Sequence, residues 1–151
     1  MFLRKELTMF SNSAKYALNA VLYLSLHTNE EKKLMTKDLS DKINVPKPYL
    51  AKILQDLSRH GIISSTKGPK GGFYLSEDNR KLSLINVVEV MDGKQRLNSC
   101  VLGLEACSNE NPCVLHHIVG RANTEFVKNL QETTIQDLIS DIDKGKSVFP
   151  L

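Results

Sequence analysis

What most constrains the fold of this chain is an ordered run of local signals between residues 36 and 75. Thr36 is placed to cap a short helix running to Ile43, Asn44-Val45-Pro46 is a short connector, and a second helix is expected from about Lys47 to His60. Pro46 and Pro48 suit its start, because a proline in the first helical turn gives up an amide that has no partner there. Leu50, Ile53, Leu54 and Leu57 make one narrow apolar face, and Gly61 suits a left-handed C-cap. Two β-prone runs follow, Ile62-Ile63-Ser64-Ser65-Thr66 and Phe73-Tyr74-Leu75, on either side of Lys67-Gly68-Pro69-Lys70-Gly71-Gly72. Such a pattern spells a hairpin. The order predicts a helix-turn-helix followed by a basic, glycine-rich wing.

The flanking segments complete a mainly α fold with a small β wing. Ser11 or Asn12 can cap a first helix ending near residues 27–29, with Tyr16, Leu18, Val21, Leu22, Leu24 and Leu26 at helical spacing. Residues 84–91 read as an amphipathic helix closed by Asp92-Gly93, and residues 97–112 as a loop. Pro112 can open a long final helix carrying Leu115, Ile118, Val119, Phe126, Val127 and Leu130, with a shorter helix over 134–142. The expected organisation is an extension (1–8), a winged helix-turn-helix domain (9–78), a cysteine-loop and dimerisation region with the long C-terminal helix (79–143), and a tail (144–151). The long helix carries more apolar surface than a small winged domain can cover. A homodimer is therefore expected, reading a pseudo-palindrome by its two-fold symmetry.

Charge is unevenly distributed along the 151 residues. Residues 1–75 hold 12 Lys and Arg against 6 Asp and Glu, whereas residues 76–151 hold 8 against 11. A basic half followed by an acidic half fits a nucleic-acid-binding domain with a separate module behind it. No apolar run approaches the ~20 residues of a membrane span. The first eight residues lack the apolar core of an export signal, so a cytoplasmic protein is expected. An enzyme is not expected: no Ser-His-Asp set or paired-carboxylate pattern appears, and Gly68 to Gly72 lacks phosphate-loop spacing and runs into a strand.

On the second helix of the helix-turn-helix, Lys47, Tyr49, Lys52 and Gln55 lie off the apolar face and are the candidates for reaching a DNA groove. Lys67 and Lys70 on the wing are candidates for phosphate or minor-groove contact. Gln55 alone among the groove-side set has bidentate capacity, toward adenine. The expected partner is a double-stranded DNA operator.

All three cysteines, Cys100, Cys107 and Cys113, fall in one 14-residue stretch, with His116 and His117 just beyond. An odd number of thiols argues against a disulfide framework. The segment also has few apolar anchors, so a long connection here needs something to staple it. Three thiols and an imidazole complete a four-ligand shell around zinc or one edge of an iron-sulfur cluster, and the pattern does not say which. Cys113 after Pro112 is expected near a helix N-terminus, where the dipole favours the thiolate. Spacing allows either His116 or His117 to join it.

Four stretches give the chain a resemblance: Lys15-Tyr16-Ala17-Leu18, Val45-Pro46-Lys47-Pro48-Tyr49-Leu50, Gly68-Pro69-Lys70-Gly71-Gly72-Phe73, and Leu84-Ile85-Asn86-Val87-Val88-Glu89-Val90-Met91-Asp92-Gly93. With the cysteine triplet they make residues 9–143 similar to the Rrf-type winged helix-turn-helix transcriptional regulators, of the IscR, NsrR and CymR type. The resemblance implies a homodimer whose last long helix crosses to the partner, and an iron-sulfur cluster on Cys100, Cys107 and Cys113 with His116 as fourth ligand. It implies a DNA-binding regulator, more often a repressor, that senses redox, iron-sulfur or nitric-oxide status. It also makes Met9 the usual family start.

Two departures from the family pattern stand out. The Cys-x6-Cys gap is one residue longer than in IscR, and Lys15 stands where nitric-oxide-sensing members offer an aspartate ligand. An ammonium has no lone pair for iron, so a 2Fe-2S centre is expected over a 4Fe-4S one. The alternatives are a cluster-free regulator of the same fold that responds to a thiol or a partner, and a zinc-stabilised winged-helix interaction module.

Overall fold

In the computed structural model, which describes residues 10–150, the chain opens on helix α1 (Asn12–His27). The expected extension 1–8 and the family start at Met9 lie outside the described residues. Ser11 is the N-cap, its hydroxyl accepting the Ala14 N–H at 3.0 Å. Of the expected α1 positions Val21 and Leu24 are buried and Tyr16 and Leu18 pack half-buried against the core, but the buried stripe also includes Ala14, Ala17, Ala20 and Ser25. Small residues let neighbouring helices approach α1 closely, which periodicity weighted by large side chains does not reveal.

Helix α2 (Thr36–Ile43) starts one residue earlier than expected. Met35 is its N-cap, so Thr36 is the first helical residue and makes no capping bond. Helix α3 (Lys47–Arg59) carries Pro48 in its first turn and buries Leu50, Ile53, Leu54 and Leu57, the face the sequence indicates. Burial of each such side chain stabilises the fold by about 1.5–3 kcal/mol. Gly61 follows in the left-handed region at φ +73°, and the Gly61 and Ile62 amides bond back to Ser58 and Leu57.

Strands β1 (Ser64–Thr66) and β2 (Gly72–Tyr74) pair antiparallel, Ser64 opposite Tyr74, as the wing. Leu34 bridges to Phe73 on the other side of β2, so the loop before α2 acts as a third edge. Gly72, at φ +151°, sits against it, and a Cβ there would lie 2.7 Å from the Leu34 carbonyl oxygen. A side chain at that position would drive the wing off the domain.

After the wing comes a single-turn helix, α4 (Glu77–Arg80), then α5 (Leu84–Asp92), a 3-10 turn (Arg96–Asn98), α6 (His116–Glu132) and α7 (Ile135–Asp143). Thr134 caps α7 through a reciprocal box with Asp137. Val87 of α5 and Ile135 of α7 belong to the same buried cluster as α1, α2 and α3. A second cluster joins Ala14, Ile85, Val88, Leu97 and Leu130, with Phe126 and Val127 half-buried against it. Leu97, immediately before the cysteine loop, is thus anchored between α1, α5 and α6.

Candidate nucleic-acid interface and metal centre

Because α3 turns its leucines and Ile53 inward, Lys47, Lys52 and Gln55 stand exposed on its outer side. Tyr49 is 40 % exposed but tied back to α1, its hydroxyl 2.5 Å from Ser13 Oγ and its ring edge-on to Tyr16. Lys67 and Lys70 lie exposed on the wing, whose tip is closed by the Gly71 N–H donating to the Gly68 carbonyl at 2.9 Å. Gln55 and Lys67 share a groove between α3 and the wing with Ser58, Arg59, Ser65 and Thr66. The Ser58 and Ser65 hydroxyls meet there at 3.1 Å, fastening the wing to the helix. Arg59, paired with Asp56 at 3.6 Å, is a second cation in this groove that sequence reasoning left out of the candidate set.

The cysteine loop brings its donors together from three points. Cys100 follows the 3-10 turn, Cys107 lies mid-loop, and Cys113 precedes α6. Their sulfurs all lie within 4.8 Å of one another, and no disulfide joins them. They line a cavity of about 460 Å³ with His116, Asn98 and Asn123. The donors sort into two pairs: Cys100 Sγ and Cys113 Sγ at 3.7 Å, and Cys107 Sγ and His116 Nδ1 at 3.3 Å. Thiolates sharing a tetrahedral ion with metal–sulfur bonds of about 2.3 Å stand about 3.8 Å apart, which the Cys100–Cys113 pair matches, and the three thiols together could hold a thiophilic metal.

The expected position of Cys113 needs correction. Helix α6 begins at His116 with Leu115 as N-cap, so Pro112 does not open it. Cys113 lies in the preceding turn, where its carbonyl accepts the His116 N–H at 3.0 Å and its own N–H points at Cys107 Sγ at 3.4 Å. That turn aims the Cys113 side chain at the other two cysteines and keeps the residue out of helical geometry.

Loop amides set the electrostatics of the sulfurs. The Leu104 backbone N–H, opposed by partial burial and helped by the Leu102 N–H and the other two thiols, lowers the Cys100 pKa from its ordinary 9.0 to about 7. For Cys107 the Cys113 backbone N–H lowers the pKa, but burial and the neighbouring Cys113 and Cys100 thiols outweigh it, and the net shift is upward. His117 is exposed and meets the His116 ring edge-on at 5.3 Å, while His116 Nε2 lies 3.1 Å from Asn109 Oδ1. Asn109 is a contact that sequence reasoning missed, since only the fold of the loop brings it to the imidazole.

The family profile described as Rrf2, iron-dependent transcriptional regulator, matches residues 10–141. An HTH-type transcriptional regulator of Aquifex aeolicus (strain VF5) is 32 % identical over 145 residues, covering 95 % of this chain and 98 % of the relative. The regulator IscR of Yersinia pseudotuberculosis is 24 % identical over 133 residues, 88 % of this chain and 80 % of the relative. Among solved structures, CymR, the global cysteine regulator of B. subtilis, superposes with a TM-score of 0.68 at 22 % identity, covering 87 % of this chain and 95 % of CymR. T. potens IscR superposes with a TM-score of 0.68 at 18 % identity, covering 93 % and 92 %. These structural likenesses carry the winged helix-turn-helix fold.

Proposed function

The chain belongs to the Rrf2 family of transcriptional regulators, and from that premise we propose that it is a homodimeric, cytoplasmic repressor whose hold on its operator depends on an iron-sulfur cluster in the cysteine loop. As a family member it is a DNA-binding regulator and not an enzyme. No described helix is long and apolar enough to cross a membrane.

One observation carries the cluster reading: the sulfurs of Cys100, Cys107 and Cys113 lie within 4.8 Å of one another and His116 Nδ1 lies 3.3 Å from that of Cys107, all lining one cavity behind a winged helix-turn-helix. Two donor pairs suit a 2Fe-2S centre, with two ligands to each iron. When bound, such a cluster supplies a centre sensitive to oxidation, nitrosylation and loss. What these residues do is hold the loop in one path when ligating and release it when not.

A physical route joins that loop to the DNA-facing helix. Leu97 is 5 % exposed in the second core cluster, and Arg96 pairs with Asp92 at the end of α5. Asp92 accepts the Ser11 N–H at the start of α1, and two residues on Ser13 bonds Tyr49 of α3. Two loop states would then bias two placements of α3, and an operator that binds one placement better shifts the population toward it.

Lys47, Tyr49, Lys52 and Gln55 serve as groove-side contacts in this reading, with Lys67 and Lys70 on phosphates. The dimer is supported by apolar surface that the chain leaves uncovered at the start of α6: Val114 is 85 % and Ile118 72 % exposed.

The test is an absorption spectrum with iron and sulfide analysis on anaerobically purified protein, followed by gel mobility on a promoter fragment with and without the chromophore. Visible absorption and a mobility shift that changes on cluster loss are expected. A colourless zinc protein, or DNA binding indifferent to the cluster, would overturn the reading. Light scattering that gives a monomer at micromolar concentration in both states would remove the dimer.

A further inference from the structure

His116 presents its two ring nitrogens to two different neighbours. Nδ1 lies 3.3 Å from Cys107 Sγ, and Nε2 lies 3.1 Å from Asn109 Oδ1. A neutral imidazole carries one proton, and only the nitrogen without it has a lone pair to give. An amide oxygen accepts and never donates. The nitrogen it faces must therefore carry the proton, which leaves the lone pair on Nδ1, on the side of the thiols.

The placement of Asn109 is built into the loop. Ser108 and Asn111 exchange backbone bonds at 3.1 and 3.2 Å, the Asn111 N–H also donates to Ser108 Oγ, and Asn111 Nδ2 donates to the Ala106 carbonyl. This closed turn holds Asn109 at its bend, two residues beyond Cys107. From this geometry we infer that Asn109 is a positioning residue: its amide oxygen fixes His116 as the Nε2–H tautomer and turns Nδ1 toward Cys107, making Nδ1 the ligating nitrogen. The ligating role rests on the proposed cluster, whereas the tautomer belongs to the metal-free chain. Outer partners of this kind orient ligand imidazoles, and their loss typically weakens metal binding about 10- to 100-fold.

The experiment separates these two parts. Long-range proton–nitrogen correlation spectra of metal-free, histidine-labelled protein at about pH 8, above the ordinary imidazole range, read the tautomer directly. Wild type should show His116 as Nε2–H. Asn109→Asp, which keeps an accepting oxygen, should retain that pattern, and Asn109→Leu should give a tautomer mixture. After reconstitution, release of iron to a chelator should be about tenfold faster in Asn109→Leu and close to wild type in Asn109→Asp. Asn109 is exposed, so both variants should fold, with unchanged circular dichroism. An Nδ1–H pattern in wild type would mean that the amide turns its Nδ2 toward the ring, and would overturn the inference. So would an Asn109→Leu variant with wild-type tautomer and wild-type release. A wild-type chain that assembles no cluster would instead overturn the ligating role and the proposed function, and the metal-free spectra would still decide the tautomer.

Discussion

Replacing Asp92 by alanine should lower the stability of the folded chain by about 2–4 kcal/mol, because this carboxylate ties the start of α1 to the root of the cysteine loop. Its side chain is 2 % exposed. One oxygen accepts the Ser11 N–H at 3.0 Å, the other accepts the Ser11 hydroxyl, and Arg96 Nε lies 3.6 Å away. A hydrogen bond to a charged group contributes about 1.5–3 kcal/mol. The ion pair adds no more than about 1 kcal/mol, since the Arg96 side chain is half exposed and solvent screens it. Both hydrogen bonds share one carboxylate, and the freed Ser11 groups regain water, so the contributions do not sum in full. Urea unfolding of metal-free protein should show a lower midpoint at unchanged slope. Arg96→Ala should cost less than about 1 kcal/mol, and Asp92→Asn, which keeps an acceptor but loses the charge, should fall between the two. Operator affinity should weaken in Asp92→Ala, because Ser13 on the same helix holds Tyr49. A loss below about 0.5 kcal/mol for Asp92→Ala, or an Arg96→Ala loss as large, would refute the reasoning by moving the stabilisation to the ion pair or to nothing at this site.

Four further outcomes are expected. Lys70→Ala should weaken all DNA targets alike and reduce the slope of log affinity against log salt by roughly one unit in salt titrations, because an exposed lysine on the wing neutralises a phosphate without reading a base. Gly72→Ala should destabilise the fold by about 1–3 kcal/mol or more and abolish operator binding in mobility assays, since its methyl meets the Leu34 carbonyl and its φ disfavours a side chain. The Thr134 N–H and hydroxyl lower the Asp137 pKa below its ordinary 3.8. Its contribution is therefore present above that value and lost as pH falls through the lower folded value, and Asp137→Asn should flatten this acid limb in unfolding measured against pH. Under the proposed function, His116→Ala should give a cluster that assembles with an altered spectrum or is lost quickly, and Cys107→Ala should prevent stable assembly. A silent His116→Ala with an active His117→Ala would move the ligand by one residue.

The helix-turn-helix and wing were legible because their rules are local. The buried face of α3 is a matter of helical spacing, the turn at Gly61 needs a left-handed residue, and the wing follows from glycines and β-prone runs within a dozen positions. Where the reading went astray, the deciding interaction was either tertiary or too short to leave a period. The buried side of α1 is set by how closely its alanines let other helices approach. Helix α4 spans only Glu77–Arg80, and its one sequence signal is the Ser76 and Asn79 box. Asn79 is also tied to Ser64 and Gly61, and Arg80 donates to the Ser25 and Thr28 carbonyls. Those bonds join segments 15 to 55 residues apart, a separation at which the periodicity of one helix or strand carries no signal.

The cysteine loop shows the same division within one site. The inventory of soft donors was plain from spacing, but their arrangement was not, because the backbone bonds between Cys100 and Cys113 are short turns that any polar loop can form. The direction of the loop is fixed at its ends, by Leu97 in the second cluster and by Asn123 of α6, whose amide donates to the Leu97 carbonyl. This anchoring also explains why α6 begins at His116: the turn that aims Cys113 at its partners uses the residues Pro112 was expected to commit to helix. A loop held at both ends, and joined in its middle by short local turns and by its cysteine and histidine side chains, has its long-range ties in the middle at those side chains. Under the proposed function, ligation there would change its path without disturbing either core cluster, and Arg96 and Asp92 would be the first residues to feel the change, at the start of the contacts that lead to α1 and α3.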